Sequence, residues 1–153
     1  MKILRIFMAL ILLSSIKLFS QSSFESFLND PFDQTISAIK EKLGEKKYEE
    51  KEVKGLPTLS YYDWFDPFSI SIQYLFNKNG TLVTKIITNG KENENDADKI
   101  FALLKEMIIK KHGPNYTDNS ILSVKMFMWK SADNLSIMLV RKGDNTTMMI
   151  MKL

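Results

Sequence analysis

Trp64-Phe65-Asp66-Pro67-Phe68-Ser69-Ile70-Ser71-Ile72-Gln73-Tyr74-Leu75-Phe76 decides the fold, together with the Asn77-Lys78-Asn79-Gly80 turn and Thr81-Leu82-Val83-Thr84-Lys85-Ile86-Ile87 that follow it. From Ser69 to Phe76 apolar and polar residues alternate. Ile70, Ile72, Tyr74 and Phe76 fall on one side, and Ser71 and Gln73 on the other, as in a strand with one buried face. Asn79-Gly80 is a strong hairpin signal, so Thr81–Thr88 returns antiparallel.

The same stretch recurs further on. At a constant, gapless offset Trp129 falls on Trp64, Ser136-Ile137 on Ser71-Ile72, and Thr146 on Thr81. A repeat constrains architecture before any other feature does. Leu59–Trp64 then has its counterpart in Val124–Trp129, and Ser69–Phe76 in Leu135–Lys142. Thr81–Thr88 has its counterpart in Thr146–Lys152. Before the first block, Asp30-Pro31 suits a capped helix start, and Phe32, Ile36, Ile39 and Leu43 form one stripe that Gly44 ends. Before the second block, Ile100, Leu103, Leu104, Met107 and Ile108 form a helical stripe. It runs out at Lys110-Lys111-His112 and Gly113-Pro114. The charged run Glu45–Lys54 reads as a solvated loop or an edge strand guarded against pairing. The expected class is α+β: a tandem helix-plus-three-strand repeat whose antiparallel sheet has about six strands, with helices on one face. Element order of this kind is similar to that of other exported bacterial proteins, including β-lactamase-inhibitor-like tandem folds. No motif here carries a residue across from them.

The N-terminus has the three regions of a secretory leader. Met1-Lys2-Ile3-Leu4-Arg5 is basic, Ile6–Leu13 is apolar, and Ser14–Gln21 moves to small and polar residues. The apolar run falls short of the roughly 20 residues a spanning helix needs, and Lys17 interrupts it. The expected organisation is a signal peptide over 1–20 and one α+β domain over 21–153, built from repeats at about 31–90 and 95–153. The leader implies an exported protein, periplasmic or extracellular, with no transmembrane span after cleavage. It also carries Lys2, Arg5 and Lys17, so its removal lowers the 21 basic residues to match the 18 acidic ones. With no basic excess left, nucleic acid is excluded as a partner. The chain has no cysteine, hence no disulfides and no lipidated cysteine.

No Gly-x-Ser-x-Gly, His-Glu-x-x-His or glycine-rich phosphate loop occurs. His112, the one histidine, falls at a helix C-terminus, where an imidazolium interacts favourably with the last carbonyls. No enzyme and no cofactor is expected; a small hydrolase ranks third among the readings. The acidic run Glu92–Asp98 lacks the glycine and terminal glutamate of a calcium loop and suits a helix start instead.

Two clusters remain. Tyr61-Tyr62-Asp63-Trp64-Phe65-Asp66-Pro67-Phe68 is too dense in rings for one sheet face to bury. Tyr61, Tyr62, Trp64, Phe65 and Phe68 are therefore the candidate binding residues, for another protein or an envelope component; packing beneath the charged loop is the alternative. Methionines crowd the second repeat. Met126 and Met128 share a strand side, as do Met149 and Met151, and thioethers select Cu(I). Met-x-Met beside Trp129 resembles the ligand set of small periplasmic copper-binding proteins, which would make these four residues metal ligands. Met is also a common core gap-filler.

Overall fold

The computed structural model describes residues 27–65, 67–89 and 94–153. The leader over 1–20 lies outside the described residues, as does most of the polar run before the second helix. A helical turn at residues 27–29 is followed by α1 (Ile36–Leu43). This helix starts later than Asp30-Pro31 suggests, because Thr35 is its cap: the Thr35 hydroxyl accepts from the Ala38 N–H at 3.2 Å. Asp30 is withdrawn from capping by partners in the core, described below. Gly44 ends α1 at φ 56° and ψ −120°, a positive-φ conformation open to glycine because it has no Cβ, and its N–H donates to the Lys40 and Glu41 carbonyls.

Four strands follow: β1 (Glu49–Val53), β2 (Leu56–Phe65), β3 (Phe68–Phe76) and β4 (Leu82–Thr88). Then come α2 (Glu94–His112) and four more: β5 (Thr117–Asp118), β6 (Val124–Lys130), β7 (Leu135–Lys142) and β8 (Asn145–Lys152). All join one antiparallel sheet in the order β1-β2-β3-β4-β8-β7-β6-β5. Among the described residues the sheet therefore has eight strands and not about six, with four rather than three from each half. The added strands are its edges. β1 is the charged run, paired to β2 through a two-residue turn in which Lys54 and Gly55 both have positive φ. β5 is a two-residue strand. A short edge and a charged edge both discourage further pairing.

Opposed residues in a sheet share a face. Ile72, Ile87, Met148, Leu139 and Phe127 form one cross-sheet row, and Tyr74, Lys85, Ile150, Ile137 and Trp129 the next. These rows are buried beneath the helices. Thr146 Oγ1 donates to the Ala97 carbonyl at 2.7 Å, and Trp129 Nε1 to Gly113 at 3.2 Å, which seats α2 on this side. Ile39 and Leu43 of α1 lie beside Tyr61 and Tyr74 on the same side. One apolar core runs under both helices.

The gapless correspondence fails at the tryptophans. Trp64 is 65% exposed on the face away from the helices, while Trp129 is 1% exposed on the helix face. The cause is the hairpin turn. Phe65 pairs directly with Phe68 across two residues, whereas Lys130 pairs with Ser136 across a longer connection with Asn134 at φ 56°. Tyr61, opposite Ile72, therefore takes the place that Trp129 takes opposite Ile137.

Candidate binding face

The helices cover one side of the sheet, and among the described residues no element covers the other. Alternation along β2 sorts the aromatic stretch between the two sides. Tyr62 and Trp64 point to the uncovered face and are 76% and 65% exposed. Tyr61, Phe65 and Phe68 are buried, which corrects their assignment to a binding surface. Tyr61 stacks on Tyr74 with ring centroids 6.2 Å apart, and the Lys46 ammonium sits over it. Phe65 and Phe68 close the β2–β3 hairpin against the core. Lys46 also pairs with Asp63 at 2.6 Å, and Asp63 Oδ1 accepts from the Trp64 N–H at 2.9 Å. These contacts fix the backbone from which Trp64 projects.

The uncovered face is almost free of charge. Tyr62 starts a row through Ser71, Thr88, Thr147 and Val140 to Met126. The adjoining row runs from Gln73 through Ile86, Met149 and Met138 to Met128. On this side β3, β4 and β8 present only Ser, Thr, Gln, Asn and apolar side chains. Glu49 and Lys51 on the β1 edge and Lys130 and Lys142 at strand ends supply the charges. Beside Tyr62 is a hollow of about 230 Å³ whose lining includes Tyr48, Glu49, Lys51, Ser60 and Gln73. A hollow that small is below the usual range for a small-molecule site. Exposed aromatic rings beside a stretch of sheet poor in charge are a composition also common at protein contacts.

Met126, Met128, Met149 and Met151 all lie on this face, half-buried, while Met148 points into the core. Met138, absent from the set read off the sequence, lies directly between Met128 and Met149. Thiolate-free soft donors are thus gathered over three adjacent strands.

His112 ends α2, half-buried in a cleft that Lys85, Lys111, Asp133 and Lys152 also line. Burial and the neighbouring Lys111 lower its pKa, against an opposing pull from Asp133, which disfavours the imidazolium expected at a helix end. Among the described residues no three His, Asp or Glu side chains gather to hold a metal ion. Asp96 pairs with Lys99, and Asp98 with Lys125 and Arg141, so these acids tie α2 to itself and to the sheet.

One polar cluster lies outside the candidate residues of the sequence. Asp30, 6% exposed, accepts from the Tyr74 hydroxyl at 2.9 Å and pairs with Lys42. Lys85, 1% exposed, donates to the Phe27 and Asp30 carbonyls at 2.8 and 3.0 Å and more loosely to Leu28. Its signal was available: Lys85 occupies an inward position of β4, in the same alternation as Ile87. Among the described residues no helix is long and apolar enough to cross a membrane. No protein-family model, no curated protein and no solved structure matches this chain.

Proposed function

We propose that this chain is an exported, non-catalytic binding protein of the bacterial cell envelope that engages a protein or envelope component through its uncovered sheet face. The observation that carries the reading is the pair Tyr62 and Trp64, two residues apart on β2 and largely exposed beside an uncharged field of sheet. Aromatic side chains lose little entropy when fixed and dominate contact energies, and half-exposed methionines let a surface repack around a partner. The envelope location rests on the leader-like N-terminus, and the non-catalytic assignment on the lack of a sequence motif for chemistry. Among the described residues each half supplies a helix followed by four strands, the first half having a further helical turn at 27–29, and β4 and β8 meet at the sheet centre. That arrangement supports descent of the two halves from one duplicated unit, with insertions at the hairpins.

The test is site-directed photo-crosslinking from position 71, beneath Tyr62, in cells that make the full chain. A discrete crosslinked species should form and should fall at least tenfold when Tyr62 and Trp64 are both changed to alanine, a loss of about 1.4 kcal/mol or more. A species that survives the double substitution unchanged overturns the assignment of this face.

A further inference from the structure

We propose that Met128, Met138 and Met149 form a thioether site for a soft monovalent ion, Cu(I), on the uncovered sheet face. The three are directly opposed across β6, β7 and β8, with Met138 in the middle. Each neighbouring pair has Cβ atoms about 5 Å apart, and the outer two, Met128 and Met149, stand two strand spacings, or about 10 Å, apart. Metal–sulfur bonds of about 2.3 Å place ligand sulfurs roughly 4 Å from one another. The two outer side chains, unbranched and with three rotatable bonds, close that gap by leaning towards Met138 from either side. Met126 and Met151 sit diagonally to Met138, opposite Val140 and Ser136, and surround the site with further thioethers.

One sulfur is already oriented: Asn119 Nδ2 donates to Met128 Sδ at 3.2 Å. A thioether has two lone pairs, so the second remains for an ion. The choice of metal follows from the donors. Neutral sulfur does not replace the oxygen shell of Ca²⁺ or Mg²⁺, whereas it is the preferred ligand type of Cu(I). No cysteine exists to compete, and His112 lies on the helix side of the sheet. Because methionine carries no proton to displace, binding here should be independent of pH, unlike binding by histidine or thiolate.

The experiment is anaerobic titration of the full chain with Cu(I) against a chromogenic chelator, and with Ag(I) as a redox-inert d¹⁰ substitute. The readouts are competition, thermal melting and ¹³C-methyl NMR of methionine. One ion should bind per chain, with equal affinity at pH 5.5 and 8. The methyl signals of Met128, Met138 and Met149 should shift, while that of core-facing Met148 should not. Met138→Leu conserves volume, keeps the fold, and should weaken binding by roughly 100-fold or more, the upper end of what loss of even an outer-shell partner costs. Tyr62→Ala should bind the ion as wild type does, which separates this site from the partner-binding anchors. Absence of a shift at these three methyls, or Met138→Leu binding like wild type, overturns the proposal. The NMR readout decides it even if a variant fails to fold.

Discussion

Lys85 Nζ lies 2.8 Å from the carbonyl oxygen of Phe27, so a buried ammonium in the central sheet holds the turn at residues 27–29 against the core. The Phe27 and Phe32 rings flank it at 5.3 and 4.9 Å. Burial pulls its pKa down from 10.5 to about 8; Asp30 opposes that shift, and Lys111 and Lys42 add to it. A lowered lysine pKa means that between about pH 8 and 10.5 the unfolded chain holds a proton the folded one has lost. Stability should therefore rise with pH through that window, by up to ~1.4 kcal/mol per unit. Tyr61, pushed up to about 12 by burial, and Tyr74, also raised by burial, act in the opposite sense above pH 10, where unfolded tyrosines ionise first. Urea midpoints should climb from pH 8, peak near 10 and then fall. Most of the climb should be lost in Lys85→Met, leaving the part that Lys111, also lowered by burial, contributes; a climb of undiminished size assigns it to another group.

The same lysine shows what the sequence could and could not convey. Period-two alternation from Ile70 to Phe76 placed that strand's core face correctly, because a half-buried strand must alternate. The helical stripe from Ile100 to Ile108 marked α2 for the analogous reason. Lys85 breaks the alternation of β4, and only the folded turn at residues 27–29 supplies the carbonyls that let an ammonium occupy an inward position. Glu49–Val53 became a strand because its partner Leu56–Val53 turn is closed by a positive-φ pair, Lys54-Gly55, while its side chains are those of a loop. The faces of Trp64 and Trp129 depended on hairpin length, and a shift of one residue reverses a side chain's face. Met138 falls outside the four candidate ligands read from the sequence because cross-strand register, unlike spacing within a strand, is a tertiary property.

Two neighbouring aromatic residues should respond oppositely to truncation. Phe65 is 8% exposed and part of the core, so Phe65→Ala should cost ~3–5 kcal/mol in chemical denaturation. Trp64 projects into solvent one residue earlier, and Trp64→Ala should stay within about 1 kcal/mol while reducing partner crosslinking. Comparable destabilisation by both would show that Trp64 is packed.

Leu122 has φ 52° and a fully exposed side chain, so it carries the cost of a left-handed backbone with no burial to offset it. Asparagine tolerates that conformation through local hydrogen bonding. Leu122→Asn should raise stability by about 0.5–1 kcal/mol, read as a shift of the denaturation midpoint with unchanged slope. A loss of stability would mean that Leu122 packs against something in solution.

The adjacent methionines 148 and 149 provide the sharpest separation of the two sheet faces. Met148 is fully buried, opposite Ile87 and Leu139, so Met148→Ala leaves a cavity under α2 and should cost ~2–5 kcal/mol. Met149 is half-buried opposite Ile86 and Met138 on the uncovered side, where solvent fills the space a shortened side chain vacates. Met149→Ala should therefore stay within about 1 kcal/mol when metal is absent. Adding Ag(I) should then distinguish packing from ligation. An ion that binds only the folded state raises stability by mass action, and that rise should survive any change at position 148 that leaves the protein folded, such as Met148→Leu. It should be lost in Met149→Ala. If Met149→Ala destabilises the metal-free protein as much as Met148→Ala does, the uncovered face is covered in solution, and a second molecule packs on it.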